Sequence, residues 1–440
     1  MEINSLFKGG SFKKSEAFSK KNKTDSNYKI SLDYYLIVMM LGTAVSILWV
    51  IFVNSMPFSD FDYYYNMAVS IANGGSWGNT YTSMGYSIVL GGIFKIFGAS
   101  VLTAKIFNIV LTIVNYIFFR SILFRLDLEE IDRKIIFTIF VFMPNNIFYN
   151  SILGTELLFT ALLLIITDIY MGNMRFKYIL IGVLVGLNTM VKPFFIAFFL
   201  LVFLVDVLKH KKLLLSIENS IIVLILSAIV ISPWIYRNSK LMGQFTYVSN
   251  NGGIVLYINN NSQNHKGRWM PAANVENSVV NTQEYKNANM TEKNKMLSSS
   301  AKKWIKSHPA DFIKLGSMRL FNTYFVGDDI VYSTYASGIT DEFRKFLIVY
   351  ANLTREIIFL PAIIYILIYS VYILIQLVKG RSDSIDKFNI YSVILFFMFT
   401  GVYFITEGQG RYSFPIIFLF VYCFYMSIGR IIFRTIKKNN

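Results

Sequence analysis

Met84-Gly85-Tyr86-Ser87-Ile88-Val89-Leu90-Gly91-Gly92-Ile93-Phe94-Lys95-Ile96-Phe97 is the stretch on which the topology turns. Wound as a helix, its roughly 14 residues reach only about 21 Å, short of the ~30 Å hydrocarbon core of a bilayer. If it crossed, the next cationic loop, with Arg120, Arg125, Arg133 and Lys134, would face outward, against the positive-inside rule. Read as a juxtamembrane helix on the outer leaflet, it removes the conflict. Residues 101–124 then form the second span, directed inward.

Composition supports a membrane frame. The chain has 440 residues, of which 54% are hydrophobic and 15% charged, and its mean hydropathy is +0.49. A soluble domain cannot bury that much apolar surface, so the expected class is an all-α polytopic membrane protein. Aromatic residues reach 17%, which suits interfacial belts and lipid-facing surfaces. The net charge of +16 fits flanks that meet anionic headgroups, with no nucleic acid as a partner. A single cysteine, Cys423, excludes an intrachain disulfide. His210, His265 and His308 are scattered, without metal-ligand spacing.

Taken in order, residues 1–32 read as a Lys-rich, disordered cytoplasmic tail with no cleavable signal. A transmembrane catalytic core is expected over 33–236, with its first outer loop at 54–100. Its spans fall near 33–53, 101–124, 135–149, 153–170, 178–191, 194–207 and 213–236. Residues 237–345 form a long extracellular loop or small domain, with a helical run at 292–321 broken by His308-Pro309. The C-terminal transmembrane part, 346–440, begins with an interfacial helix at 346–353. It continues with spans at 357–378, 388–405 and 413–432. That gives about ten transmembrane helices, both termini cytoplasmic, with the cationic loops on one face.

On this topology the unusual polar residues collect at the outer boundary: Asp60, Asp62, Glu156, Lys192, Arg237, Asn238, Glu407 and Arg411. Charged groups at that depth are costly, and they mark function unless they only anchor the interface. Asp60-Phe61-Asp62 is a D-x-D triplet, weak alone, just past the first span. A carboxylate there can reach a hydroxyl proton as a general base; the alternative is a solvated loop acid. Lys192, before Pro193, either snorkels to headgroups or binds a phosphate leaving group. Arg237 and Arg411 are belt residues or phosphate forks. Glu156 either serves the site or favours a helix start through the dipole. Lys105 fits no motif.

In this order, Ser59-Asp60, Gly85-Tyr86, Phe97-Gly98, Thr155-Glu156, Val191-Lys192-Pro193, Pro233-Trp234-Ile235-Tyr236-Arg237-Asn238, Asn250-Asn251-Gly252-Gly253, Asn259-Asn260 and Gly410-Arg411-Tyr412-Ser413-Phe414-Pro415 resemble the motifs of one enzyme group. It is the GT-C superfamily of polyprenyl-phosphate-dependent glycosyltransferases, especially the bacterial members akin to protein O-mannosyltransferases and the aminoarabinose transferase. The resemblance covers about residues 33–430. It departs at Ser83-Met84-Gly85, where Pro-Pro-Gly or Pro-Val-Gly is expected, and in having no counterpart of the C-terminal soluble domain of some relatives.

The resemblance implies a GT-C-like fold in the cell membrane, with its active site on the extracytoplasmic face. It implies inverting transfer from a polyprenyl-phosphate-linked sugar to an acceptor hydroxyl. Asp60 would be the base, with Asp62 assisting or merely hydrogen-bonding. Lys192, Arg237 and Arg411 would hold the departing phosphate, with Asn238, Glu156, Tyr64, Tyr86 and Asn260 in the substrate site. No cofactor is certain; a divalent cation, used by oligosaccharyl relatives, stays open. The acceptor is a cell-envelope glycan, teichoic acid, lipid or protein, and membrane lipids are partners. Two other classes compete. A polysaccharide polymerase or ligase would favour arginine pairs in the long loop, where past Arg237 only the widely spaced Arg268, Arg319 and Arg344 occur. A lipid-linked sugar transporter would place ionisable residues at mid-membrane.

Overall fold

A computed structural model describes residues 33–327, 329–429 and 431–432. The expected tail at 1–32 and the cationic cluster Arg434, Lys437 and Lys438 lie outside the described residues. Among the described residues the chain is all-helical, without a β-strand. The helices are α1 (Tyr34–Phe52), α2 (Asp60–Ala72), α3 (Gly85–Phe97), α4 (Val101–Arg125), α5 (Glu130–Val141), α6 (Pro144–Phe148), α7 (Glu156–Met171), α8 (Lys177–Val191) and α9 (Phe198–His210). They continue as α10 (Leu213–Met242), α11 (Gly252–Asn259), α12 (Gln283–Asn287), α13 (Met290–Ser307), α14 (Pro309–Tyr324), α15 (Asp329–Ser333), α16 (Asp341–Val378), α17 (Lys387–Ile405) and α18 (Ile417–Phe424).

Among the described residues, seven helices are long and apolar enough to cross a membrane: Tyr34–Phe52, Val101–Arg125, Pro193–His210, Leu213–Met242, Asp341–Val378, Lys387–Ile405 and Gly410–Gly429. Their outward faces are apolar. Leu41, Leu48, Ile51 and Phe52 of α1 and Ile221, Ile225 and Ile229 of α10 are all exposed, as a lipid-facing surface requires. The chain is a polytopic helical membrane protein. The other three expected spans are shorter helices, with 12 residues in α5, 16 in α7 and 15 in α8.

Two expectations need correction. The span expected at 135–149 is broken after Phe142. Pro144 drives the residue before it out of the helical region, and Met143 is extended (φ −59°, ψ 124°). The separate interfacial helix expected at 346–353 does not exist either. It is part of the N-terminal third of α16, a 38-residue helix that runs unbroken through Pro361.

Packing sets up one end of the bundle. α8 lies along α10, α4 along α7, and α2 folds back on α3. The start of α3 presses on the end of α8, where a Cβ on Gly85 would sit 2.6 Å from the Met190 carbonyl. Only glycine permits that approach. Ser83 Oγ donates to the Val191 carbonyl at 2.9 Å, so the first loop is fastened one residue from Lys192. Lys105, 2% exposed, donates to the Ser55 carbonyl at 2.7 Å and pins the exit from α1.

The 237–345 region has its own small core of Tyr257, Ile258, Val275, Leu297 and Ala301. There α13 begins with a capping box, in which Asn289 accepts from Glu292 N and Glu292 returns the bond to Asn289 N. His308-Pro309 separates α13 from α14, as expected from the sequence.

Candidate functional site

Asp60 is the first residue of α2, and Ser59 before it holds a left-handed backbone (φ 53°). Such a conformation is costly for a non-glycine residue and persists only where neighbours fix it. Arg411 lies 351 positions later, at the start of the 3₁₀ turn Gly410–Ile416. Its Nη2 donates to Asp60 Oδ2 at 2.9 Å, and the side chains are 13% and 54% exposed respectively. The guanidinium lies over the rings of Phe61 at 5.3 Å, Tyr412 at 5.4 Å and Tyr332 at 5.9 Å.

A second acid–cation pair adjoins the first. Glu156, the first residue of α7, meets Lys192 Nζ at 3.4 Å, with side-chain exposures of 3% and 14%. Tyr412 joins the two pairs, because Lys192 Nζ lies 5.6 Å from the ring that Arg411 also covers. The Tyr412 hydroxyl donates to Glu407 Oε2 at 2.7 Å, and Gln409 Nε2 donates to Glu407 Oε1 at 2.8 Å. Tyr64 and Tyr86 pack edge to face at 5.9 Å. Burial, reinforced by the Asp60 charge, pushes the Tyr64 phenol well above its ordinary range, so it stays a neutral donor. Burial holds Lys192 below the usual lysine value, opposed by the adjacent Glu156 carboxylate.

Among the described residues, four buried polar atoms in this cluster have no hydrogen-bond partner: Glu156 Oε2, Arg411 Nε, Tyr86 OH and the hydroxyl of Tyr403, whose ring stacks on Tyr412 at 5.2 Å. Buried polar groups are nearly always paired, so a concentration of unpaired ones marks a place built for a ligand or solvent. An acceptor, a cationic donor and two phenols converge here, which suits a ligand bearing both hydroxyls and an anion.

Asp60, Glu156, Lys192, Arg411, Tyr64 and Tyr86 are thus brought together from five segments of the chain. The other expected residues are not. Asp62 is exposed and accepts from Asn66 one turn along α2, at 3.0 Å. Arg237 donates to the carbonyls of Trp77 and Gly78 in the first loop and lies over Trp234 at 4.5 Å. Asn238 donates to the Tyr247 and Val248 carbonyls at 2.9 and 3.1 Å and accepts from Arg237. These two residues tie α10 to the loops on either side of it. Asn260 belongs to the 237–345 region, where it donates to the Leu256 and Ile405 carbonyls at 2.8 and 3.0 Å.

Sequence reasoning missed the supports of the Arg411 segment. Arg319 and Arg355 are 0% and 1% exposed. Arg319 donates to the carbonyls of Phe404 and Asn259 at 2.8 and 2.6 Å and to Asn260 Oδ1 at 3.2 Å. Burial lowers its pKa to about 10, still high enough to keep it charged at neutral pH. Gly408 lies directly on the Arg319 backbone, leaving no room for a Cβ. Arg355 donates to the Thr323 and Gly410 carbonyls at 3.3 and 3.2 Å, and to Asp329 Oδ2 at 2.6 Å. The turn that carries Glu407 and Arg411 is therefore held at both ends by buried guanidinium groups. The signal was available only as arginines inside amphipathic helices, which reads like ordinary surface charge.

Among the described residues there is no group of three or more His, Cys, Asp or Glu side chains placed to hold a metal ion. Comparison of the chain with protein-family models, with curated proteins and with solved structures finds no match.

Proposed function

We propose that the chain is a membrane glycosyltransferase of the GT-C kind, moving a sugar from a polyprenyl-phosphate donor to an acceptor hydroxyl with inversion. One observation carries the reading: a half-exposed carboxylate just after the first span shares an ion-pair cluster with cations from the middle and the end of the chain. In this reading an Asp60 oxygen takes the proton of the acceptor hydroxyl as that oxygen forms a bond to the anomeric carbon. The anomeric carbon–phosphate oxygen bond breaks on the opposite face, and its electron pair leaves on the lipid phosphate. Arg411, through its unpaired Nε, and Lys192 receive that charge, as preorganised donors do in phosphate-leaving reactions.

Arg411 has a second effect. While it pairs with Asp60 it fixes the position of the base, and its other N–H groups remain able to fork onto phosphate. Glu156 orients Lys192. Arg237 and Asn238, engaged with backbone carbonyls, hold the first loop over the site.

The proposal includes about ten crossings, with the short helices α5, α7 and α8 lengthened across the bilayer by adjoining turns. It places the cytoplasm at the end bearing Arg125, Lys177, Lys209 and Lys387 and the reaction at the opposite end. The test is transfer from a synthetic polyprenyl-phosphate sugar by the purified chain in nanodiscs. Wild type is expected to release polyprenyl phosphate, whereas Asp60→Asn binds donor with turnover reduced at least about 10²-fold. Full turnover by Asp60→Asn overturns the assignment.

A further inference from the structure

The 237–345 region contains a cavity of about 320 Å³ that the catalytic reading does not use. That volume is at the lower end of small-ligand sites, which start near ~300 Å³. Its floor is made by Tyr257 and Val275, both buried, together with Asn260 and Asn261. Its rim is polar, with Ser262, Gln263, Glu276 and Asn277, and one wall is Trp304.

Trp304 is fixed before any ligand arrives. Its indole N–H donates to Ser262 Oγ at 2.9 Å, and its ring stacks on His308, which does not line the cavity, at 5.0 Å and 11°. The floor amides are already engaged, Asn260 and Asn261 each donating to backbone carbonyls, and Gln263 Nε2 donates to Glu276 Oε2 at 3.3 Å. The polar groups left for a ligand are on the rim: the Gln263 and Asn277 amides, the Ser262 hydroxyl and the Glu276 carboxylate, beside the Trp304 ring. Among the described residues no lysine or arginine lines the cavity, although Lys302 and Lys303 adjoin Trp304 in the chain, and both are exposed.

We infer that this cavity is a carbohydrate-binding subsite for one or two neutral or amino-sugar units. A sugar ring presents hydroxyls around its edge, each needing both a donor and an acceptor, and an apolar C–H face that rests on an aromatic ring. A phosphate-bearing polymer is a poor fit, because it would meet the Glu276 carboxylate with no cation to answer its charge.

The cavity is also wired to the reaction segment. Asn260 donates to the Ile405 carbonyl, two residues before Glu407, and its Oδ1 accepts from Arg319, which also holds the Phe404 carbonyl. An acceptor glycan anchored here would press on the turn that presents Arg411. That acceptor role rests on the transferase reading; the binding itself does not.

The experiment is ligand-observed NMR with the full chain in nanodiscs, using a panel of neutral and 2-amino disaccharides and glycerol phosphate as the anionic probe. At least one disaccharide should bind saturably, and both Gln263→Ala and Trp304→Ala should weaken it roughly tenfold, equivalent to about 1.4 kcal/mol. Gln263 sits on the rim, so its variant keeps the test valid if loss of Trp304 harms folding. Asp60→Asn should leave sugar binding unchanged. The inference is overturned if no disaccharide saturates, if Gln263→Ala binds as wild type does, or if glycerol phosphate binds more tightly than every sugar. Sugar binding without any transfer by wild type would remove the catalytic reading and leave this one standing.

Discussion

Two aspartate–arginine pairs lie behind one another in this protein and differ in almost everything except chemistry. Asp329–Arg355 is sealed, with side chains 2% and 1% exposed, at 2.6 Å. Asp329 also accepts from Tyr149 OH at 2.6 Å and from Asn145 Nδ2. Arg355 spends its remaining N–H groups on two carbonyls. Asp60–Arg411 is open on the acid side and 2.9 Å long, and its arginine retains a buried Nε without a partner. A satisfied buried pair specifies structure, whereas an open pair with unspent donors is available to a ligand. Identical residue types are separated into support and site by burial and by how many hydrogen bonds are already made.

That contrast can be broken by exchanging losses of activity and stability. Asp60→Asn should reduce transfer by about 10²–10⁴-fold, the usual range for a positioned general base, with an unchanged melting temperature. Arg355→Ala should do the reverse first, costing about 3–5 kcal/mol of stability by removing the cation that offsets the buried Asp329 carboxylate. Thermal unfolding in nanodiscs measures it, and a variant of that kind with unaltered melting would show that the pair is not a support.

Lys192 sharpens the comparison through pH. In the proposed reaction its protonated form binds phosphate, and burial holds its pKa below the free lysine value. Donor affinity should therefore fall as pH rises through that lowered pKa, earlier than for an exposed lysine. Lys192→Arg should abolish this alkaline loss, while Lys192→Ala weakens donor binding at every pH. Titration of donor-lipid binding against pH decides it. The smallest effect belongs to Asp62→Asn. The side chain is exposed and serves only Asn66, so stability should change by less than about 0.5 kcal/mol and transfer should be nearly unaffected.

Much of the frame was legible because apolar runs of sufficient length have one stable form in a bilayer. The boundaries of α1, α4 and α17 fall within a residue or two of expectation, and His308-Pro309 divided α13 from α14 as read. The continuity of α16 was not legible. The sequence reading divides it into an interfacial helix at 346–353 and a span at 357–378, but tertiary burial of Arg355 lets one helix carry both. In the site, sidedness alone placed Asp60, Lys192 and Arg411 at a common boundary, and the structure brings them into one cluster. Sequence could not distinguish Arg411 from Arg237, since each adjoins a tyrosine (Tyr412 and Tyr236) and reads equally as a belt residue or a phosphate fork. What separates them is which carbonyls lie within reach, and that is decided by the packing of distant loops.

The length of α16 has a further consequence. Its 38 residues measure about 57 Å, nearly twice the hydrocarbon thickness. From Glu356 to Val378 the helix is about 35 Å, enough to match a bilayer, and Arg355 stands at the top of that segment. The height of Arg355, and with it the Gly410 carbonyl it grips, is then set by where the membrane surface lies. Short-chain lipids should tilt or sink this mast and draw the Arg411 turn out of register with Asp60. On the proposed orientation, turnover should peak at one acyl-chain length and decline on either side, making membrane thickness a variable in the chemistry.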